Sequence, residues 1–439
     1  MSFSSRNRVQ RIRFVGSIFV LLCAYAAAYA QTSVRVSVSD AEQQSNDNSP
    51  QAMISADGRY VTFTSFATNL VPGYGPTSGN QVFRRDLLLG FTQLVSVDDI
   101  GILGDGDSVN PKITADGRYV TFTSFATNLV SGDTNGTRDI FRRDMQTGTT
   151  IRVSVADNGD EGMGTSYTPA ISANGNFIAF RSDSTNLVPG GTTGAQIFLR
   201  DVGAGTTALV SKSSLGLPGD ADSGFFNVDI TPDGRFVAFC SLAANLVSGD
   251  TNNAWDVYVH DRQLNSNRRI SLAINGLQGF GTSACPSMSD DGRLVAFAST
   301  DGYVNGDSNG TWDVFVRDVV ANTMIRASVD SRNKQGNGAS GYQEAWGVRI
   351  SGNGSRVAFV SSATNLVSGD TNGVQDVFVR IFATNKTEMI SLNTAKKPAN
   401  GASSNPSLSL NGQYTAFVSA ATNIVSGDSN GFLDVFRRG

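Results

Sequence analysis

The chain has 439 residues, of which 16% are charged, 47 are glycine, 3 are cysteine and 1 is histidine. Globular proteins average roughly 25% charged residues and roughly 7% glycine, so this chain is poor in charge and rich in a turn-forming residue. Its hydrophobic content of 40% is enough for a buried core and argues against wholesale disorder. A single histidine excludes any mechanism or metal site that needs two imidazoles.

The first thirty residues are organised like a secretory signal peptide. Four arginines precede an apolar run from Phe14 to Ala30, and the run ends in Ala28-Tyr29-Ala30, a small-x-small site that a signal peptidase would cut before Gln31. The alternative is an uncleaved membrane anchor, but about seventeen residues is short for a retained span. We therefore expect residues 1–30 to direct export. Residues 31–439 would then form a secreted or periplasmic protein with no membrane span.

Removal of this segment changes the charge and the cysteine count of the mature chain. Without its four arginines, 30 of the 34 basic residues remain against 38 acidic residues, a net charge of −8. This mildly acidic balance argues against nucleic-acid binding through phosphates. Only Cys240 and Cys285 remain. In an oxidising compartment they could form a disulfide, and the alternative is two buried free thiols.

An Asp-Gly or Asn-Gly dipeptide recurs seven times, at spacings of 59, 58, 59, 58, 62 and 58 residues. Each lies between two short apolar runs, which predicts a β-hairpin between two strands. We expect a tight turn in which both central residues have positive φ, since Asn, Asp and Gly tolerate that conformation best. The dipeptides are Asp57-Gly58, Asp116-Gly117, Asn174-Gly175, Asp233-Gly234, Asp291-Gly292, Asn353-Gly354 and Asn411-Gly412.

Each repeat contains two further predicted strands. A near-constant segment, Ser-x-Ala-Thr-Asn-Leu-Val, and a polar loop follow the hairpin, and then come a third strand, such as residues 313–318, and a fourth, such as residues 151–155. Four short strands per repeat without helical periodicity are typical of a β-propeller blade. We predict an all-β, seven-bladed propeller with four antiparallel strands in each blade, formed as a single domain by residues 31–439.

The two ends of the chain are complementary. The last residues, 434–439, match a third strand, and the fourth strand that should follow is found at the start of the mature chain, in residues 33–39. We predict that this N-terminal strand pairs into the last blade and closes the ring, which leaves no open sheet edge between the first and last blades. The alternative is an open solenoid.

The repeated pattern Ile-Ser-x-Asp-Gly-Arg-Tyr-Val-x-Phe-x-Ser, followed by Asp-Val-Phe-Val-Arg-Asp, resembles the WD-like repeats of TolB-type propellers. The resemblance covers residues 33–439. It implies a periplasmic or secreted binding scaffold and names no catalytic residue. TolB itself has six blades behind a separate N-terminal domain, which this pattern does not reproduce, so the particular partners of TolB do not transfer.

An acidic cluster recurs in the predicted loop between the second and third strands of five blades. Oxygen ligands at alternate positions, followed by glycine and a later acid, suit Ca²⁺, and the spacing resembles the calcium loops of integrin-type propellers. We therefore treat these residues as candidate calcium ligands. They are Asp133, Asn135 and Asp139; Asp250, Asn252 and Asp256; Asp307, Asn309 and Asp313; Asp370, Asn372 and Asp376; and Asp428, Asn430 and Asp434.

The alternative for these loops is a structural turn in which Asp and Asn side chains accept hydrogen bonds from local backbone N–H groups. The segment 305–312 also resembles the Asp box of sialidase propellers, which is a structural hairpin. In blades one and three the cluster is absent, and the late Asp becomes Gln81 and Gln196. The first and last Asp of each cluster, which we call the early and late acids, are thus kept or lost together. This is expected if they share a ligand or a hydrogen bond.

Several aromatic residues lie in the long connections between blades, which would share one face of the propeller with the acidic loops. Aromatic side chains on loops of a rigid scaffold often form a binding surface. The alternative is that they fill the central channel or pack between blades. The candidates for partner binding are Tyr167, Phe225, Phe280, Tyr342 and Trp346.

The remaining sequence contains no serine-nucleophile elbow, phosphate loop or zinc motif. His260 takes a third-strand position at which the other blades have arginine, so we expect a structural role for it. We predict an exported, non-enzymatic scaffold that binds a protein or glycan partner through its loop face, without nucleic acid and without a required cofactor. The alternatives are a sialidase-like carbohydrate-active enzyme that uses loop-face carboxylates and a calcium-stabilised adhesion-type propeller.

Overall fold

A computed structural model describes residues 32–73, 79–342 and 347–439. These residues form 28 strands and no helix, so the prediction of an all-β protein is confirmed. None of them belongs to a helix long and apolar enough to cross a membrane. The predicted signal peptide, residues 1–30, lies outside the described residues.

The strands form seven four-stranded antiparallel sheets, one for each predicted blade. Blade one contains β2 (Gln51–Ile54), β3 (Tyr60–Ser65), β4 (Gln81–Asp86) and β5 (Phe91–Leu94). Blade two contains β6 (Ser108–Ile113), β7 (Tyr119–Ser124), β8 (Asp139–Asp144) and β9 (Thr149–Arg152). Blade three contains β10 (Ser166–Ile171), β11 (Phe177–Ser182), β12 (Gln196–Asp201) and β13 (Thr206–Leu209).

The remaining blades repeat the same order. Blade four contains β14 (Ser223–Ile230), β15 (Phe236–Ser241), β16 (Asp256–Asp261) and β17 (Ser266–Arg269). Blade five contains β18 (Ser283–Met288), β19 (Leu294–Ser299), β20 (Asp313–Asp318) and β21 (Thr323–Arg326). Blade six contains β22 (Val348–Ile350), β23 (Arg356–Ser361), β24 (Asp376–Ile381) and β25 (Lys386–Met389).

Blade seven joins the two ends of the chain. It contains β26 (Ser403–Leu408), β27 (Thr415–Ser419), β28 (Asp434–Arg438) and, as its outer strand, β1 (Ser33–Arg35). Val34 pairs with Arg437 in an antiparallel register. The predicted closure of the ring by the N-terminal strand is therefore confirmed.

The Asp/Asn-Gly hairpins differ from the expected turn. In blade one, Ser55 and Tyr60 are joined by a four-residue loop in which the Gly58 N–H donates to the Ser55 carbonyl at 3.0 Å. Gly58 has a φ of 76°, whereas Asp57 is not in the positive-φ region. The expectation of two positive φ values was therefore wrong. Asp57 is selected because its side chain accepts a hydrogen bond from the Arg59 N–H at 2.9 Å, which supports a type I turn that ends in one left-handed glycine.

The turn glycine also sets the distance between adjacent blades. A Cβ placed on Gly117 of blade two would lie 2.2 Å from the ring of Tyr60 in blade one. Larger side chains are therefore excluded at this contact by both φ and space.

The hydrophobic core lies within and between the blades. In every blade an aromatic residue of the second strand faces one of the third strand, with ring centroids 5.5–6.0 Å apart. Each cluster then extends into the next sheet: Phe63 of blade one, for example, belongs to the same buried cluster as Val418 and Val435 of blade seven. Because both faces of the middle strands are covered, few of their positions can carry charge.

Candidate functional site

Two groups of predicted site residues lie on the same face of the propeller, which we call the loop face. It is the face on which the second strand of each blade runs into the third and on which each blade connects to the next. The acidic loops connect strands on this side, and the aromatic residues lie at or near the ends of strands on the same side.

In blade two the acidic loop is closed by hydrogen bonds within the chain. The Asn135 amide donates to Asp139 Oδ2 at 2.9 Å and to the Gly162 carbonyl at 2.8 Å, and its oxygen accepts from the Thr137 N–H. Asp139 Oδ1 accepts a hydrogen bond from Ser154, two residues after the end of the fourth strand. These contacts tie the loop to the fourth strand and to the connection that follows it, as the structural-turn alternative predicts.

An arginine at the end of the fourth strand lies between the acids of this loop. Arg152 Nη1 is 3.4 Å from Asp133, 3.8 Å from Asp139 and 2.7 Å from Glu161. The carboxylate oxygens of these three acids all lie within 4.8 Å of one another, a separation that could suit a metal ion. The guanidinium already provides a positive charge at this place.

The same arrangement is found in three more blades. Arg269 Nη1 lies 3.1 Å from Asp250 and 3.4 Å from Asp256 in blade four. The corresponding distances are 3.3 and 3.4 Å in blade five and 3.1 and 3.6 Å in blade seven, where the arginines are Arg326 and Arg35. In these loops the arginine takes the position that the calcium hypothesis assigns to the ion. Calcium binding there stays a prediction, and an ion would have to displace a side chain.

Burial favours the neutral form of the carboxyls in these loops. In blade two it raises the pKa of Asp133 to about 6, and Asp139 adds to the rise while Arg152 opposes it. Burial also raises the pKa values of Asp256 and Asp313, which are fully covered carboxyls. One arginine therefore does not fully offset the cost of burying the charged form of these acids.

The two blades without acids use glutamine in place of the whole cluster. In blade three, Gln196 Oε1 accepts from Ser211 at 2.6 Å and its amide donates to the Gly219 carbonyl at 3.0 Å. Gln81 makes the same two kinds of contact in blade one. One neutral side chain thus makes both contacts that Asp139 and Asn135 share in blade two. Its oxygen accepts from the serine, as Asp139 does, and its amide donates to the carbonyl, as Asn135 does.

The arginine was missed in the sequence, although a signal for it existed. In blades one and three, where both acids are absent, the fourth strand ends in Leu94 and Leu209 instead of arginine. In these two blades the acids and the arginine are therefore absent together, and comparing the fourth strands of the repeats would have found the partner. The shared contact also explains why the early and late acids are kept or lost together.

The second group is an aromatic cluster on the loop face of blades four to six. Phe225, which is 62% exposed, contacts Trp255 and Phe226 with ring centroids 5.8 and 5.2 Å apart. Tyr342, which is 48% exposed, stacks on Trp312 at 4.6 Å. Both tryptophans pack on a buried base of Phe226, Cys240, Ala284 and Cys285. We call these aromatic residues, Phe225, Phe226, Trp255, Trp312 and Tyr342, the aromatic cluster.

The other aromatic candidates lie outside this cluster or outside the described residues. Tyr167 lies in blade three between Arg138 and Arg181, whose guanidinium carbons are 5.8 and 5.2 Å from its ring centroid. Phe280 is 89% exposed in the connection before blade five. Trp346 falls in a segment that the structure does not describe. Trp255 and Trp312 were not among the predicted site residues, although each directly precedes a third strand.

Cys240 and Cys285 form no disulfide and are buried beneath the aromatic cluster. Burial raises the pKa of the Cys240 thiol to about 11. The structure therefore has two buried thiols at these positions and not the alternative, a disulfide between Cys240 and Cys285.

The lone histidine is part of a link between blades. In the other blades the third-strand arginine donates to a backbone carbonyl of the preceding connection, as Arg317 does to Leu272 at 2.7 Å. His260 instead contacts Asn267 at 3.0 Å, and Asn267 donates to the Lys212 carbonyl at 2.6 Å. The asparagine thus completes the link, and burial lowers the pKa of His260.

A cavity on the propeller axis lies near the Asp/Asn-Gly hairpins, at the opposite end of the first strands from the loop face. Its wall includes Lys112, Asp229 and Arg349. Lys112 and Arg349 both approach Asn227 Oδ1 at 3.5 Å, and Asp229 accepts from the Met288 N–H at 2.8 Å. Burial and the neighbouring Arg349 lower the pKa of Lys112. The buried charges are held within the wall, and none of the aromatic candidates in the described part of the chain lines this cavity.

Blade number, ring closure and strand order define the protein as a seven-bladed β-propeller. No protein-family model and no curated protein matches the sequence. Among solved structures, it is similar to an oligogalacturonate lyase in complex with manganese, with a TM-score of 0.55, 12% identity, and coverage of 93% of this chain and 96% of the lyase.

Two further structures illustrate the range of proteins with this fold. The β-propeller domain of the Trilobed protease from Pyrococcus furiosus matches with a TM-score of 0.53 and 9% identity over 89% of this chain and 93% of that one. TolB from Acinetobacter baumannii matches with a TM-score of 0.41 and 15% identity over 78% of this chain, and the match spans 62% of the TolB chain. At these identities the likeness of all three structures concerns the fold alone.

Proposed function

We propose that the protein is an exported, non-enzymatic scaffold that binds a protein or glycan partner through the aromatic cluster on its loop face. The observation that carries this proposal is the exposure of Phe225 and Tyr342 on top of two tryptophans that are themselves packed on the core. Aromatic side chains held rigidly lose little conformational entropy on binding, so such a surface suits the centre of an interface.

The aromatic cluster has the properties of a recognition surface, in contrast to aromatic residues that only pack between blades. Its residues lie in blades four and five and in the connection to blade six, and its exposed rings, Phe225 and Tyr342, contact Trp255 and Trp312, which pack on the buried base. Flat rings bind either the apolar face of a sugar or an apolar side chain of a protein. Export follows from the signal peptide predicted in residues 1–30, which places the partner outside the cytoplasm.

The charge arrangement favours the binding role over the sialidase-like alternative. A glycosidase of the usual kind needs two carboxyl groups about 5–10 Å apart that are free to act on substrate. The loop-face acids of blades two, four, five and seven, in the described part of the chain, instead contact an arginine of their own blade. Their hydrogen bonds to serine and asparagine serve the blade itself.

The test compares the wild-type protein with the double variant Phe225→Ala/Tyr342→Ala. Binding is measured in two arms: affinity electrophoresis against a panel of soluble polysaccharides, and cross-linking to extracytoplasmic proteins of the native host. Removal of two central aromatic residues should weaken binding to the partner by about tenfold or more. The matched control is Phe91→Ala, which removes an exposed ring from the outer strand of blade one.

Three results would contradict the proposal. The double variant could bind the partner as tightly as the wild type, or the Phe91→Ala control could lose as much affinity as the double variant. Reproducible turnover of a glycan by the wild-type protein would instead support the carbohydrate-active alternative.

A further inference from the structure

Blade six keeps the acidic loop but not the arginine that accompanies it elsewhere. The fourth strand of this blade ends in Met389, at the position of Arg152, Arg269 and Arg326. Met389 is buried within the apolar cluster between blades five and six. Blade six is thus the one blade in which both acids are present and the guanidinium is replaced by an uncharged side chain.

The loop of blade six nevertheless has the same conformation as its counterparts. Asp376 accepts hydrogen bonds from Ser391 Oγ at 2.6 Å and from the Asn372 amide at 2.7 Å. The Asn372 amide also donates to the Ala399 carbonyl at 2.9 Å, and its oxygen accepts from the Val374 N–H. The contacts of Asn372 and Asp376 are therefore those of the structural turn, while the positive charge is missing.

Asp370 shows the consequence of the missing arginine. Its side chain is buried, with only 8% of the residue exposed, and among the described residues Oδ1 has no hydrogen-bond partner. The corresponding acids Asp250 and Asp428 each lie 3.1 Å from a guanidinium nitrogen. The glutamine or glutamate that contacts the loop in other blades is also replaced, by Pro398.

A backbone carbonyl completes the arrangement. In three sister blades the same arginine also donates to the glycine that precedes the early acid, as Arg152 does to the Gly132 carbonyl at 2.9 Å and Arg269 to that of Gly249 at 2.9 Å. The equivalent glycine in blade six is Gly369. Blade six thus keeps the two carboxylates and the equivalent glycine around a place that holds a positive charge in four other blades.

We propose that the acidic loop of blade six binds one hard cation, best matched by Ca²⁺, through Asp370 and Asp376, at the place that a guanidinium takes in blades two, four, five and seven. Carboxylate and carbonyl oxygens are the ligands that Ca²⁺ prefers, and its coordination tolerates irregular geometry and bound water. Mg²⁺ is a poorer match because it requires near-octahedral geometry and gives up its water reluctantly. The site is independent of the aromatic cluster and does not rest on the proposed function.

The experiment measures Ca²⁺ binding by titration calorimetry on protein stripped with EDTA, together with melting temperatures in Ca²⁺ and in EDTA. Wild-type protein should bind about one ion per chain and melt at a higher temperature with Ca²⁺, since a ligand that binds the folded state stabilises it. Met389→Arg restores the arginine of the sister blades and should abolish both effects.

Two asparagine variants keep the test decisive even where Met389→Arg does not fold. Asp370→Asn should weaken Ca²⁺ binding by about tenfold or more, because it removes a charged ligand. Asp428→Asn, the equivalent change in blade seven beside Arg35, should leave Ca²⁺ affinity unchanged. The proposal is overturned if wild-type protein shows no heat of binding and no calcium-dependent shift in melting. It is equally overturned if Met389→Arg or Asp370→Asn binds Ca²⁺ as tightly as the wild type.

Discussion

Blades three and four stabilise the same loop with different polar groups. In blade three the single neutral side chain of Gln196 accepts from Ser211 and donates to the Gly219 carbonyl. In blade four Asp256 accepts from Ser271, Asn252 donates to the Gly279 carbonyl, and Arg269 compensates the charge. The acidic loop is therefore first of all a structural element, and in blade four its two acids are accompanied by an arginine.

The difference has a physical consequence for mutation. A buried ion pair adds little net stability, because the desolvation of its charges offsets their attraction. Removal of one member leaves the other buried and unpaired, which is costly. Removal of a neutral glutamine costs less, because it leaves only unsatisfied hydrogen bonds and no unpaired charge. The two kinds of blade should thus differ more in their response to damage than in their stability.

The largest expected effect comes from removing the central acid. Asp256→Ala in blade four should lower the free energy of unfolding by about 3–5 kcal/mol, because Arg269 loses one of its two carboxylate partners and because Ser271 and Asn252 lose their acceptor. Gln196→Ala, the matched change in blade three, should cost about 1–3 kcal/mol. Urea denaturation of both variants measures the difference, and equal losses would mean that the charge of the loop has no energetic role.

The second prediction concerns pH, which should affect the acidic loops and not the loops that contain glutamine, because in the latter a neutral glutamine replaces the buried acids. The pKa of Asp133 is raised by burial from its ordinary value of 3.8 to about 6. Between these values the folded protein binds more protons than the unfolded chain, so a rise in pH should lower stability. The loss from this group amounts to about 3 kcal/mol.

Stability should be measured from pH 4 to pH 7 in wild-type protein and in Asp133→Asn, which cannot ionise. The difference between the two proteins should grow as the pH rises and then level off above the folded-state pKa. Asp160→Asn is the control, since it changes an exposed carboxyl of the connection that follows the same blade. A constant difference between Asp133→Asn and the wild type would contradict the raised pKa of Asp133.

The smallest effect concerns the serine that both kinds of blade share. Ser271→Ala removes a hydrogen bond to the carboxylate of Asp256, and Ser211→Ala removes one to the amide oxygen of Gln196. Hydrogen bonds to charged groups contribute about 1.5–3 kcal/mol and those to neutral groups about 1 kcal/mol. Chemical denaturation should therefore show a larger loss for Ser271→Ala. The reverse order would show that Asp256 is satisfied without its serine.

Much of the fold was predictable because its determinants are local and repeated. The Asp/Asn-Gly turn, the apolar runs around it and the unpaired fourth strand at residues 33–39 recur in sequence and were sufficient for seven blades and for ring closure. The error concerned the conformation of Asp57. Asp57 is held outside the positive-φ region by a hydrogen bond that its carboxylate accepts from the Arg59 N–H, which the dipeptide alone does not reveal.

The candidate sites were predictable only in part. The early and late acids were recognised as a unit, but Arg152, which follows Asp139 by 13 residues on another strand, was not connected with them. Likewise Phe225 and Tyr342 were identified singly, whereas Trp255 and Trp312 join them into one cluster. Contacts between strands and between blades decide both cases.

The sequence by itself determined the number of blades, their four-stranded build and the way the ring closes, because strand alternation and turn chemistry act over a few residues and recur in each repeat. Only the tertiary structure decided which acidic loops are compensated by the chain itself and which is not. In blade two Arg152 reaches from the fourth strand to the acids of the loop, whereas in blade six the equivalent Met389 packs in the apolar core. The missing positive charge is costly in blade six because the acids of its loop are buried.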